Sequence, residues 1–432
     1  MNRLFSESGQ KIYIFNTVLL LSCLLALDAS AFQCEEDNTC DPLPKLGLEF
    51  RDKNLSLNEL TQNALQRSPD QVRLEAMNER SRALYKRAKN LLGSQPSLNA
   101  SSRTDQWQSN EGLREYQLGV DLPLWRLGER RAGRDLAEKS AEWVSAEWND
   151  IRLQMSGTVR ELIWDYALAE NAVDSAASAL EMAQKTESDM TRRVKLGELS
   201  RRDLLLAKQQ TLQREEDLSA ALAEREHALM RYEVIAGSKR MPGKWREKKS
   251  AVDEITDGHP SLYTLSKDVD RARSEVALLR KQRGEPVTLG VTGYHSRGEF
   301  NPDYNDSVEL TVGIPFGPKS YRDVRLAELQ QTVADAEARL LTRRRLLIAD
   351  LREAEHGLDR IEEALVIAEK SRRLSEEQLR MAQTAFKVGE SNLFELLLVQ
   401  NKTVQARRQY RDYRIKLQRA IARYNQAVGV LL

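Results

Sequence analysis

Lys195-Leu196-Gly197-Glu198 and Lys387-Val388-Gly389-Glu390 are one four-residue phrase written twice, 192 positions apart. The offset holds on both sides of the phrase. Leu204-Leu205-Leu206 recurs as Leu396-Leu397-Leu398, Tyr232 as Tyr424, Gly237 as Gly429 and Pro123 as Pro315. One offset sustained from position 123 to 237 means two copies of one structural unit, and such self-similarity decides the fold before any local reading does. The unit is far longer than a solenoid repeat. It predicts a pseudo-symmetric protomer of the kind that closes into a ring.

Upstream of each phrase the chain reads as one long helix. From about Leu127 to Leu196, and from about Tyr321 to Val388, there is no proline and glycine is rare. Seventy helical residues extend about 105 Å at 1.5 Å per residue, and such a helix needs a lateral partner. Leu347, Leu351, Ala354, Leu358, Ile361, Leu365 and Ala368, then Leu379, Ala382 and Phe386, recur in three- and four-residue steps, a seam narrow enough for coiled-coil packing. Arg372 and Ser375 interrupt it. Gly197 and Gly389 mark tight turns, and after each a returning helix of about 40 residues runs back to Gly237 or to the C-terminus. Two antiparallel helical hairpins result.

Further upstream lie strands. Tyr116, Leu118, Val120, Leu122 and Leu124 alternate with Gln117, Gly119, Asp121 and Pro123; Val308, Leu310, Val312, Ile314 and Phe316 alternate with Glu309, Thr311, Gly313 and Pro315. Period-two alternation of this length is a strand signal with one apolar and one polar or small face. The strands are expected at about 97–107 and 114–125 in the first copy (55–237), and at about 287–296 and 307–316 in the second (258–432). Each pair follows a helix: Leu57 to Leu92, stopped by Gly93 and Pro96, and Leu262 to Arg283, stopped by Gly284 and Pro286. Residues 238–257 join the copies. With Pro242, Gly243 and a run of Lys and Arg they read as a surface linker whose charge is solvated.

The first residues are an address. Arg3 and Lys11 precede an apolar run from Val18 to Leu27, and Ala29-Ser30-Ala31 follows, so a signal peptide is expected over 1–31. Lipidation at Cys23, after Leu20-Leu21-Ser22, is the alternative. No other stretch approaches the ~20 apolar residues of a membrane helix. The mature protein is thus expected to be exported, and any membrane crossing must use strands. Residues 32–54 carry Cys34 and Cys40, for which a small disulfide loop is the first reading in an oxidising compartment and metal binding the sharper alternative.

Composition excludes several classes. Charged residues make up 30% and aromatics 6% of 432 residues, with 21 Gly and 11 Pro, the balance of long solvated helices rather than of an enzyme core. The net charge of +1 implies no nucleic-acid partner. His227, His259, His295 and His356 are scattered, with no ligand at metal spacing. No nucleophile elbow or phosphate loop is present, so no enzyme, no metal and no cofactor are expected.

Strands of nine to eleven residues suit a tilted crossing of a bilayer. Four cannot close a barrel, and an open edge is not tolerated in lipid. Three copies supply twelve strands around an open lumen. The expected fold is therefore mainly α with membrane β: coiled-coil hairpins forming a periplasmic α-barrel below a trimeric twelve-stranded β-barrel. A periplasmic coiled-coil scaffold is the competing architecture, and it leaves the strands without a reason.

The ordered set of motifs resembles the TolC-like outer membrane efflux protein family. Phe386 to Leu397 with Gln400 is similar to the family's second hairpin turn, Val194 to Glu198 with Asp203-Leu204-Leu205 to the first, and the strand ends at Pro123 and Pro315 also fit. The resemblance covers Leu55 to Leu432. It implies an outer membrane exit duct without an energy source of its own, a homotrimer in outer membrane lipid, joined by a periplasmic adaptor to an inner membrane pump, of which the RND type is the candidate. It implies adaptor docking at Leu196, Gly197, Glu198, Val388, Gly389, Glu390 and Ser391. It places Glu395 where some members carry a pore-constricting acid, with Asp203 as the first-copy equivalent. The family's next acid falls on Leu398, a departure that puts a two-ring gate in doubt. Within the family, type I peptide or protein secretion is the alternative cargo route, and the compact length resembles the heavy-metal and cation branch.

Overall fold

The computed structural model describes residues 51–107, 109–282, 285–298, 303–318 and 320–432. The signal segment, Cys23 and the Cys34–Cys40 pair lie outside them. Two helices dominate: α3 (Glu129–Lys195, 67 residues) and α6 (Ser320–Val388, 69 residues). Each turns back into a shorter one, α4 (Arg201–Ala236) and α7 (Leu393–Ala427). At their other ends α3 and α6 follow strand pairs, β2 (Ser97–Thr104) with β3 (Arg114–Leu124) and β5 (Val287–Arg297) with β6 (Asn305–Gly313). Helices α1 (Leu57–Gln66), α2 (Asp70–Lys89) and α5 (Pro260–Lys281) precede those pairs.

The helices lie side by side as four rails. α2 and α4 pack on one side of α3, α5 and α7 on the other, and α6 lies against α5 and α7. Within a rail the shorter helices meet end to end. At the α7–α5 junction, Gly429 has φ +85°, and a Cβ there would stand 2.8 Å from the His259 ring and 2.9 Å from Pro260, so only glycine closes the joint.

A single helix from Leu57 to Leu92 is expected from the sequence, but the chain breaks it at Arg67-Ser68-Pro69. Pro69 has no N–H to donate and disfavours the helical conformation of the residue before it. The Ser68 hydroxyl then accepts from the Asp70 N–H at 3.2 Å and restarts the helix. The far end stops at Lys89, short of Leu92.

The sheet runs β2-β3-β5-β6, every neighbour antiparallel. Its strands differ from the expected bounds by more than one residue at three ends, one of β2 and both of β6. β2 stops at Thr104 because Asp105 closes the hairpin, accepting from the Gly112 N–H at 2.9 Å and pairing with Arg114 at 2.6 Å. β6 begins at Asn305 and ends at Gly313, which pairs with Thr288; β5 offers one residue beyond that, so Ile314 and Phe316 project unpaired and exposed. The two faces differ as the alternation requires. One presents Leu98, Leu118, Val120, Val291, Val308, Leu310 and Val312, all exposed. The other carries Asn99, Ser101, Gln117, Asp121, Tyr294, Glu309 and Thr311, linked across strands by Ser101 to Gln117 (3.0 Å), Asn99 to Asp121 and Tyr294 to Glu309.

The expected surface linker is instead a strap sewn into the core. Met241 is fully buried, Trp245 is 6% exposed, and its ring lies 4.4 Å from that of Trp164 in a cluster with Ile163, Tyr232 and Ile415. β4 (Met241–Pro242) pairs in parallel with β1 (Arg51–Asp52). Its basic residues face solvent, yet Trp245 and Glu247 point inward between the exposed Lys244, Arg246 and Lys248. That in-out alternation is the apolar signal beneath the charge.

His259, read as one of four scattered histidines, caps α5. Its Nδ1 accepts from the Ser261 N–H at 3.2 Å, and the residue is 3% exposed. Burial first, then the nearby Arg343, push its pKa below the ordinary histidine value, against the pull of Asp150. An unfolded chain takes up a proton near pH 6.5 that the folded chain refuses, so stability is complete above that value and is lost as the pH falls through it. The helical melting temperature should drop between about pH 7.5 and pH 5.5. His259→Asn, which keeps a capping acceptor without the titration, should flatten the slope; an unchanged slope would refute the assignment.

Candidate functional site: the paired hairpin tips

Both hairpins turn by the same device. Gly197 (φ +80°) donates to the Val194 carbonyl at 3.1 Å and Glu198 to Arg193 at 2.9 Å; Gly389 (φ +85°) donates to Phe386 at 3.3 Å and Glu390 to Ala385 at 2.9 Å. These are two Schellman closures, and the left-handed residue in each has to be glycine for its backbone alone. A Cβ at either position would meet nothing within 4 Å. Three residues on, the return helix starts from a side-chain cap: the Ser200 hydroxyl accepts from the Asp203 N–H at 3.2 Å, and the Asn392 amide oxygen accepts from the Glu395 N–H at 2.9 Å.

The sequence-selected residues thus come together as two exposed knuckles. Leu196 and Val388, 68% and 65% exposed, are large apolar groups left uncovered at the two turns, beside Gly197, Glu198, Gly389 and Glu390. Ser391 is half-buried behind the second turn. Asp203 and Glu395 occupy equivalent positions in the first turns of their helices, where a carboxylate faces the positive helix end. The Asp203 carboxylate also accepts from the Ser200 hydroxyl at 2.8 Å, whereas Glu395 is exposed.

The two tips form one surface. Met190 and Ala207 from the first hairpin share an apolar cluster with Phe386, Leu393, Leu396 and Leu397 from the second. Polar ties reinforce it: Gln400 Nε2 donates to Thr186 Oγ1 at 3.1 Å, Arg214 to the Asn401 side-chain oxygen at 2.6 Å, and the Arg193 guanidinium lies 5.2 Å from the Phe386 ring centre. Sequence reasoning singled out Phe386, Leu396, Leu397 and Gln400 but missed Thr186, Met190, Arg193, Arg214 and Asn401. Ser375 is legible as an interruption of the seam; the fully buried Thr403, whose hydroxyl donates to the Ser375 carbonyl at 3.0 Å, is not.

Two long helical hairpins side by side, continuous with a sheet that is apolar on one face and polar on the other, make up the fold of bacterial outer membrane channels. The outer membrane protein VceC of Vibrio cholerae is 15% identical and superimposes with a TM-score of 0.71, covering 86% of this chain and 96% of VceC. The CmeC outer membrane channel of Campylobacter jejuni is 13% identical with a TM-score of 0.66 over 87% of this chain and 86% of CmeC, and the open state of the MtrE outer membrane channel of Neisseria gonorrhoeae is 18% identical with a TM-score of 0.64 over 86% and 88%. Residues 251–430 match the outer membrane efflux protein family, which bears out the resemblance in the second copy, where the turn at Gly389 lies. No curated protein matches the chain in sequence.

Proposed function

We propose that this protein is the outer membrane exit duct of a tripartite efflux system: a homotrimer whose sheets pool into a twelve-stranded barrel and whose helices form a tunnel reaching into the periplasm. One observation carries the reading. The four-stranded sheet has an exposed apolar face, a polar face and two unpaired edges, β2 and β6, at one end of helices about 100 Å long. Such edges are not tolerated in lipid. Three antiparallel steps make β2 and β6 run in opposite directions, so β6 of one copy can pair antiparallel with β2 of the next, and three copies close a ring. A periplasmic scaffold would have no use for the apolar face.

The knuckles then lie at the far end of the tunnel, where Leu196 and Val388 offer apolar contacts to the helical hairpin of a periplasmic adaptor, with Gly197, Glu198, Gly389, Glu390 and Ser391 supplying the backbone and polar rim. The adaptor couples the duct to an inner membrane pump, of RND type in our reading, which supplies the energy. Of the two acids, Glu395 is the stronger candidate for a carboxylate ring at the entrance, since the Asp203 side chain is engaged in capping. Three Glu395 carboxylates around the axis would favour cations.

The test is assembly. The purified protein should migrate as a heat-modifiable trimer in mild detergent and conduct ions across a planar bilayer. Leu310→Arg, on the apolar face, should cost about 2–4 kcal/mol per copy near the bilayer midplane and abolish the trimer band. Thr311→Arg, on the polar face, should assemble normally. A monomer soluble without detergent would end the proposal.

A further inference from the structure

Cations crowd where the helices meet the sheet. The six residues of α2, α3, α5 and α6 nearest the sheet include ten Lys or Arg and two acids. Helix polarity accounts for half of these cations. α2 ends on Lys86, Arg87 and Lys89 and α5 on Arg280 and Lys281, where a cation faces the negative end of a helix. α3 and α6 begin at the same level, and their positive ends disfavour cations. They nevertheless open with Arg130, Arg131 and Arg134, and with Arg322 and Arg325. Two of these are engaged within the chain: Arg130 donates to the Lys89 carbonyl at 2.8 Å, and Arg322 stands 3.8 Å from Asp323. The other acid, Glu129, is buried and accepts from Gln282 Nε2 at 3.0 Å.

Lys86, Arg87, Arg131, Arg134, Arg280 and Arg325 are exposed, and no ion pair among the described residues engages them. Positions 283, 284 and 319, outside the described residues, are Arg, Gly and Lys and bring no acid. A neighbouring copy brings none either. α2 leads into β2 and β6 into α6, so the β6–β2 pairing proposed above sets the start of α6 beside the end of α2 in the next copy, cation toward cation. At the opposite end of the sheet the arginines are matched: Arg114 pairs with Asp105 at 2.6 Å and Arg103 with Glu115 at 3.8 Å. Charge is neutralised at one end of the sheet and left open at the other.

Depth narrows the partner. Six helical residues cover about 9 Å, close to the ~5–8 Å headgroup layer on each side of a bilayer's hydrocarbon. Leu91 and Leu127, in the connections between helices and sheet, are exposed at this level, so apolar and cationic groups meet there as at a bilayer boundary. We propose that this collar binds the phosphate headgroups of anionic phospholipids in the leaflet on the helix side of the barrel, and that those lipids hold the trimer at its depth. Juxtamembrane Lys and Arg clusters hold anionic lipid by an attraction that fades within a Debye length. Three copies close the collar into a ring. The inference rests on the barrel reading above.

The experiment offers phosphatidylglycerol or phosphatidylcholine to the full-length trimer, stripped of lipid in mild detergent, and counts the retained lipid by native mass spectrometry. At about 0.05 M salt the wild type should retain about ten-fold more phosphatidylglycerol than phosphatidylcholine, and lose it at about 0.5 M. The variant K86Q/R87Q/R131Q/R134Q should retain about ten-fold less phosphatidylglycerol while still running as a heat-modifiable trimer and conducting ions, which separates lost binding from lost folding. K208Q/K370Q/R380Q/K402Q removes the same charge from exposed positions on the hairpins and should retain as much as the wild type. Equal retention of the two lipids, undiminished retention by the collar variant, or an equal loss in the hairpin variant overturns the proposal. Release of the lipid by millimolar inorganic phosphate would assign the collar to a free anion and overturn it too. A wild type that neither assembles nor conducts would instead sink the duct reading itself.

Discussion

Gly389→Pro should abolish export while leaving the trimer and its barrel intact. The native φ of +85° is closed to proline, whose ring fixes φ near −65°. The substitution also removes the N–H that donates to the Phe386 carbonyl, so the Schellman closure is lost and the second knuckle cannot form. The expected local cost is about 3 kcal/mol or more, confined to the last turn of α6 and the start of α7. The sheet lies at the opposite end of the helices and should not register it. Gly389→Asn separates turning from docking. Asparagine enters the left-handed region at modest cost, and the space around a new Cβ is empty within the chain. If the glycine serves only the turn, the asparagine variant exports normally. If an adaptor approaches the backbone there, the turn survives while cross-linking to the adaptor and export both fall. Docking predicts the second outcome, and normal export by the proline variant would rule docking out.

What the sequence discloses, and what it hides, follows the range of the forces involved. The turns at Gly197 and Gly389 are legible because a left-handed residue is a local backbone demand and leaves a glycine behind. The strand faces are legible because period two is a local pattern with a single explanation. The helix break at Pro69 was just as local and was outweighed by the apolar spacing on either side of it. The strap was misjudged for a different reason. Charge density marks a segment as solvated only on average, and here alternate residues take opposite sides, with Trp245 and Glu247 inside and Lys244, Arg246 and Lys248 outside. The tie between the two tips could not be read at all. Gln400 and Thr186, or Arg214 and Asn401, are separated by some two hundred residues, and no periodicity in one segment names its partner in another.

Arg160→Met should be the most destabilising single change in the helical layer, and its size follows from what it strands. The guanidinium donates through Nε and Nη2 to the two Glu247 oxygens at 2.8 and 2.7 Å, and through Nη1 to the Gln426 side chain at 2.5 Å and the Val430 carbonyl at 3.0 Å. One side chain thus joins α3, the strap, the last turn of α7 and the segment after it. The Glu247 side chain is 11% exposed, and its remaining donor, Asn425 at 3.0 Å, is neutral. Removing the arginine leaves a carboxylate out of water with no counter-charge, a loss of about 3–5 kcal/mol. The pair itself need not be worth that much, because desolvating both ions offsets most of their attraction. Arg160→Met combined with Glu247→Leu, which removes both charges, should therefore recover most of the stability lost by the single variant. Thermal melting followed by far-ultraviolet circular dichroism checks both. A single variant costing under about 1 kcal/mol would mean that Glu247 reaches water when the arginine is gone, and that the strap is held by Met241 and Trp245 alone. A double variant as unstable as the single one would mean that the guanidinium's bonds to Gln426 and Val430, rather than the ion pair, close the chain's C-terminal end against α3.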